Sequence, residues 1–146
     1  MVDCATPPMT ALVTASSSVL TMAEFLSTLN LAAASSVKSL AGSGNVTLGA
    51  NTLTITNGAD TFSGNISGTG NLAVSGGTEV LNGTNAYSGT TNVTNGILTL
   101  NSSAAVSNSS KVNVTGTGAL NLAAASSVNS LAGSGNVTLG ANTLTI

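Results

Sequence analysis

The chain has 146 residues and a net charge of −2, with 4% charged and 2% aromatic residues, no His, and Lys38 and Lys111 as its only basic side chains. So few cations leave almost nothing to neutralise a phosphate backbone, which excludes nucleic acid as a partner. The mean hydropathy of +0.43 argues against disorder, because disordered segments are usually poor in apolar residues and rich in net charge.

The first segment, residues 1–28, is predicted to be an N-terminal tail or cap. Met22, Phe25, Leu26 and Leu29 recur at helical spacing, so residues 21–29 fit a short amphipathic helix that covers the open edge of the first strands. A fraying tail is the alternative.

The same segment gives no clear signal peptide, because it contains no Lys or Arg and its apolar stretch is diluted by Ser and Thr. Nowhere does an apolar run reach about 18 residues, so no transmembrane segment is predicted. Cys4 is the only cysteine, which rules out an intrachain disulfide.

The rest of the chain, residues 29–146, is repetitive. Residues 29–55 recur as residues 120–146, an offset of 120 − 29 = 91 residues, with Lys38 replaced by Asn129 as the only difference. A shorter motif, Gly-x-Φ-x-Φ with Φ for Leu, Val or Ile, begins at Gly44, Gly70, Gly96, Gly118 and Gly135. Its period of two predicts a short strand with one inward side.

The spacing of these motifs favours a coil over a hairpin meander. Hairpin strands would recur about every 8 to 12 residues, whereas the motifs recur every 17 to 26 residues, the length of one β-helix rung. A rung is here one full circuit of the chain. The predicted fold is therefore all-β: a parallel β-helix, or solenoid, of roughly five rungs in which the five motif strands stack in register.

Residues 61–100 carry a more specific pattern. They contain, in order, SG at Ser63, GTGNL at Gly68, LNG at Leu81, NAYSGTTNV at Asn85 and GILTL at Gly96. This stretch resembles the passenger-associated β-strand repeat of bacterial autotransporters. The resemblance implies a right-handed β-helical passenger, exported through an outer-membrane barrel to the bacterial cell surface or the extracellular space, with a role in adhesion, aggregation or display of other domains. This chain contains no sequence pattern of a translocator barrel.

Candidate sites are sparse. Of the four acids, Asp3, Glu24, Asp60 and Glu79, only the last two lie in the repeats, 79 − 60 = 19 residues apart, about one rung. Without His or Arg to tune them, they are interpreted as solvated surface acids and not as a catalytic pair. Asp does not recur at Gly-rich turns as it does in calcium-binding solenoids. The sequence therefore predicts no enzyme, no cofactor and no catalytic, cofactor-binding or metal-binding residue.

Two further patterns concern packing. Phe62 and Tyr87 occupy matching places in FSG and YSG, which predicts that they stack on successive rungs near a corner. The many Asn residues are expected to form amide ladders between rungs, and their sequons follow from composition.

The predicted function is a structural or adhesive stalk segment of a secreted or surface-exposed autotransporter-like passenger. Its expected partners are a host surface, a glycan or other copies of itself, since exposed strand edges and low charge favour self-association. The alternative is an ice-binding or other flat-face β-solenoid that uses Thr52, Thr54, Thr143 and Thr145. That alternative requires a regular Thr lattice in every rung.

Overall fold

The computed structural model describes residues 9–13 and 26–146, which form seventeen short strands and no helix. The strands are β1 (Met9–Val13), β2 (Leu26–Leu31), β3 (Ser35–Val37), β4 (Asn45–Thr47), β5 (Thr52–Ile55), β6 (Thr61–Phe62), β7 (Ile66–Ser67), β8 (Asn71–Val74), β9 (Thr78–Leu81), β10 (Thr90–Val93), β11 (Ile97–Leu100), β12 (Lys111–Val114), β13 (Ala119–Leu122), β14 (Ser126–Ser127), β15 (Leu131–Gly133), β16 (Asn136–Thr138) and β17 (Leu144–Thr145).

Parallel pairing arranges these strands on three faces of a solenoid. Face 1 holds β1, β2, β4 and β7 and, after two rungs without a regular strand, β14 and β17. Face 2 holds β3, β5, β8, β10, β12 and β15, and face 3 holds β6, β9, β11, β13 and β16. The all-β parallel solenoid predicted from the sequence is confirmed, with about six rungs in place of the five expected.

The length of a rung is more regular than the motif spacing suggested. Ladder partners on face 2 are 18 to 21 residues apart, from 53 − 35 = 18 to 112 − 91 = 21. The five motif strands do not form one ladder: the strand after Gly44 lies on face 1, that after Gly70 on face 2, and only the last three stack together on face 3. The prediction of one stack was wrong because the same motif occurs on all three faces. The distance between consecutive motifs therefore need not equal the length of one rung.

The core is a set of inward-pointing columns. One column on face 2 runs through Val37, Ile55, Val74, Val93 and Val114, all buried and each the ladder partner of the next. Within each strand, the residues next to these buried ones point outward, because successive side chains of a strand alternate between its two faces. Each rung therefore buries its apolar side mainly against the rungs before and after it.

The N-terminal part of the described chain differs from the prediction. β2 begins at Leu26, so the helix expected over residues 21–29 is wrong for its last four residues, and residues 1–8 and 14–25 lie outside the described residues. β2 pairs with β1 on one side and β4 on the other, and these neighbours supply the backbone partners of a strand. Strand pairing thus extends before the predicted boundary at Leu29.

The two near-identical copies follow the same local path on different faces. The first begins in β2 on face 1, and the second begins in β13 on face 3, four rungs and two faces later. Asn51 Nδ2 donates to Leu31 O at 3.0 Å, and its counterpart Asn142 donates to Leu122 O at 2.9 Å. Gly49 and Gly140 both have φ of +60°.

Candidate functional site

The most unusual side chain in the core is Glu79. It points inward from β9 in the column that continues through Leu98 and Leu120, and it has no exposed surface. A carboxyl group thus occupies a position that is aliphatic on the following rungs. Burying a carboxylate is costly unless it is well paired, so this group needs local partners.

Those partners come from two rungs earlier. Glu79 Oε2 accepts hydrogen bonds from Ser39 Oγ at 3.2 Å and from Leu40 N at 3.5 Å. Oε1 has no partner among the described residues. The side chain reaches this far because Gly58 lies between: a Cβ at Gly58 would sit 2.9 Å from Glu79 Cβ and 2.9 Å from Oε2. Glycine therefore opens the path for the carboxyl group.

This environment favours the protonated, uncharged form of the carboxyl group at neutral pH. Burial raises the pKa of Glu79 to about 8; the hydrogen bonds from Leu40 and Ser39 lower it in part, and the nearby Asp60 raises it slightly. A protonated carboxyl group can also donate a hydrogen bond. The Ser39–Glu79 contact is thus a neutral polar link between rungs.

Asp60 lies one rung before Glu79, as the spacing of 19 residues predicted. Its carbonyl accepts a hydrogen bond from Val80 N at 3.0 Å, and its side chain is half-exposed. The interpretation of both acids as solvated surface groups is wrong for Glu79. Position 79 falls on the inward side of β9, and Gly58 provides the space that a carboxyl group needs there.

A second buried polar group joins faces 1 and 2. The Tyr87 hydroxyl lies 2.6 Å from Thr91 Oγ1, which donates to Ser109 Oγ at 2.9 Å, and Ser109 Oγ donates to Gly89 O at 2.8 Å. Burial raises the pKa of Tyr87. Asn85 is also buried, and its amide accepts from Ile66 N and donates to Ala105 O, both at 2.8 Å. The Tyr87–Thr91 contact lies within one rung, whereas the contacts of Ser109 with Thr91 and Gly89 join neighbouring rungs. Asn85 also joins neighbouring rungs, through backbone groups and not through an amide ladder.

The aromatic prediction was wrong. Phe62 lies in β6 on face 3, where its ladder partner is Leu81. Tyr87 lies on face 1, on the rung after β7. Its neighbours there, Ala86 and Ser88, donate backbone hydrogen bonds to Ile66 O and Gly68 O. Their separation of 87 − 62 = 25 residues exceeds one rung. The two buried aromatic rings therefore enter the core from different faces.

The outer surface is built from amides and hydroxyls. Asn101 Nδ2 donates to Asn82 Oδ1 at 3.1 Å, and Asn82 Nδ2 donates to Ser63 Oγ at 3.5 Å, which makes an exposed ladder across three rungs. The outward column around Thr54 is mixed, because its ladder partners are Ser36 and Ala73. In the described strands of face 2, the column through Thr54 is thus not the continuous Thr column that the flat-face alternative requires.

Other candidate sites in the described residues are weak. A shallow cleft of about 230 Å³ carries no charged group and is lined by Ser103, Ala125, Ser126, Ser127, Thr143 and Thr145. Within residues 9–13 and 26–146, no group of three or more His, Cys, Asp or Glu side chains lies close enough to hold a metal ion. Over the same ranges, no helix has the length and apolarity needed to cross a membrane.

No protein-family model, curated protein or solved structure matches this chain.

Proposed function

We propose that this chain is a structural and adhesive stalk segment of a secreted or surface-exposed, autotransporter-like passenger. The observation that carries the proposal is the placement of the two copies in the solenoid. Residues 29–55 and 120–146 take the same strand path on different faces of the solenoid. The duplicated sequence thus encodes extension of the coil and not one face-specific site, which is the property of a scaffold.

The surface chemistry supports the same proposal. Amide and hydroxyl ladders such as Asn101–Asn82–Ser63 offer neutral hydrogen-bonding groups that repeat from rung to rung. Such a surface suits weak, multiple contacts with a glycan, a host surface or a second copy, and multiple weak contacts give useful avidity. With only two cations, it is poorly suited to nucleic acid.

We also propose that the chain is not an enzyme. Glu79, whose pKa burial raises, is fully buried with Ser39 and Leu40 as partners, so its carboxyl group is not exposed to a substrate in solution. Its role in this proposal is to link rungs.

A display experiment tests the stalk. The full chain is fused between a signal peptide and an outer-membrane translocator barrel, and intact cells are assayed for protease-resistant surface chain, for settling and for adherence to epithelial cells. We expect a resistant fragment of the full 14.0 kDa and faster settling or stronger adherence than cells with the barrel alone.

The matched control is Leu98→Asp on the same barrel, since Leu98 is a buried core residue. That variant should be digested and should lose the adhesive effect. A parent chain that is digested like the control would contradict the stalk, and a resistant parent that adds neither settling nor adherence would contradict the adhesive role.

A further inference from the structure

The last rung exposes residues that are buried in the first copy of the repeat. Val137, Leu139 and Ile146 are 37%, 40% and 73% exposed, whereas their counterparts Val46, Leu48 and Ile55 are completely buried. The two sets have the same sequence and belong to the same local strand path. The difference comes from what lies on top of them.

The cover of the first copy is residues 56–79. Within it, Ile66 is the ladder partner of Val46, Leu72 of Leu53, and Val74 of Ile55. Farther along, Glu79 contacts Ser39 and Leu40.

The second copy repeats every one of these contact positions. Counting 91 residues onward, Val46, Ser39 and Leu40 become Val137, Ser130 and Leu131. The single substitution, Lys38 to Asn129, lies at an exposed position in both copies. Among residues 9–13 and 26–146, none covers the surface of the last rung that corresponds to the one beneath residues 56–79.

We propose that a second copy of this chain docks here by strand exchange. Residues 120–146 of one molecule take the place of residues 29–55 beneath residues 56–79 of the next molecule, whose own first rungs are released. The donor's solenoid then continues into the acceptor's without a change in ladder register. The interface is head-to-tail, so it does not close on itself and builds linear chains.

The conditions for exchange follow from the identity of the two copies. Every ladder pairing that the acceptor breaks within itself is re-formed with the same residue types of the donor, so concentration decides between monomer and chain. Exchange requires the first rungs to open, so refolding from denaturant at high protein concentration favours it. The inference does not depend on the stalk function.

Single cysteines on two chains test the exchange directly. Thr47 and Ser67 are ladder partners, so exchange brings Thr138, the counterpart of Thr47, beside Ser67 of the other molecule. Chains with C4S and S67C are refolded together with chains carrying C4S and T138C, at low and at high concentration, and then oxidised. Adjacent ladder positions are close enough for a disulfide.

We expect the mass in solution to rise from 14.0 kDa to multiples of it at high concentration, with a disulfide between positions 67 and 138 identified by mass spectrometry. The matched control replaces T138C with N121C, an outward position on β13 that β16 already covers. Its cross-linking to S67C should be lower by roughly tenfold or more, because Thr138 lies between Asn121 and Ser67 in the exchanged ladder. Two ladder steps, about 9.6 Å, exceed the Cα separation that a disulfide can span.

A second pair reports on another ladder of the interface. Thr54 pairs with Ala73, so A73C and T145C should cross-link between chains in the same way. This pair also serves if S67C disturbs folding, which circular dichroism checks for each variant. Monomers at every concentration would overturn the proposal, and so would oligomers in which both pairs cross-link no more than the N121C control.

Discussion

The two copies of the repeat compare a sequence with itself in two surroundings. Two strands of each copy begin at equivalent positions, β3 and β14 at Ser35 and Ser126, and β4 and β16 at Asn45 and Asn136. Asn51 and Asn142 also make the same hydrogen bond to the preceding rung. Burial differs: Leu48 is fully buried, while Leu139 is 40% exposed. The residues of a copy thus determine its local path, and the neighbouring rungs determine how much stability each side chain contributes.

The largest expected effect separates these two contributions. Leu48→Ala should lower the free energy of unfolding by about 3–5 kcal/mol, because it leaves a cavity in a fully buried column. The identical change Leu139→Ala should cost less than about 1 kcal/mol, since partly exposed sites lose little. Urea unfolding followed by circular dichroism measures both. Equal losses would mean that burial by neighbouring rungs is not what distinguishes the copies.

The second effect concerns the link that only the first copy has in this chain. Glu79 contacts Ser39 and Leu40 but not their counterparts in the second copy, and burial raises its pKa to about 8. The folded state therefore holds the proton more tightly than the unfolded state. Stability should be highest below the ordinary Glu pKa and fall as pH rises toward 8, by on the order of 3 kcal/mol, then level off.

The matched control for this pH dependence is Glu79→Gln, which keeps the shape and does not titrate. Its midpoint of unfolding should vary little between about pH 5 and pH 8, while that of the parent falls. A parent chain with the same flat profile as the variant would show that Glu79 is charged, or accessible to water, in the folded protein.

The smallest effect should be equal in the two copies. Gly49 and Gly140 both have φ of +60°, and a Cβ at either would meet no atom closer than 3.5 Å. Gly49→Ala and Gly140→Ala should therefore each cost about 1 kcal/mol from the left-handed backbone alone. Amide hydrogen exchange of the two corners measures each one locally. A much larger cost at Gly49 would indicate that the surrounding rungs restrict this corner as well.

The fold was predictable because its signals are local and repeated. Alternating strands, Gly at bends and the duplication of residues 29–55 were enough to identify a parallel solenoid. Rung length was not, because strands on all three faces share one motif and the sequence does not state which face each strand occupies. The length of a rung becomes clear only from the ladder partners in the structure, such as Thr91 and Val112.

Glu79 was missed for a different reason. Its position in TEVL matches Leu98 in ILTL, so the alternation alone places it inward. The chemical type of the residue argued for solvent, and the space that resolves this conflict is provided by Gly58, on the preceding rung. A Gly about one rung before an inward acid is therefore a signal worth seeking in other solenoids. The predicted stacking of Tyr87 on Phe62 failed because the similar tripeptides YSG and FSG lie on different faces.

The offset between the copies has a geometric consequence. A duplication of 91 residues advances the chain by four full rungs and two further faces. Each copy is therefore rotated about the solenoid axis by two thirds of a circuit relative to the copy before it. In any tandem array of this unit, a feature carried once per unit, such as the exposed Lys111, would wind around the rod and return to its starting side after three units. Tandem duplication of a unit of this length would thus place the same surface group on each of the three faces in turn.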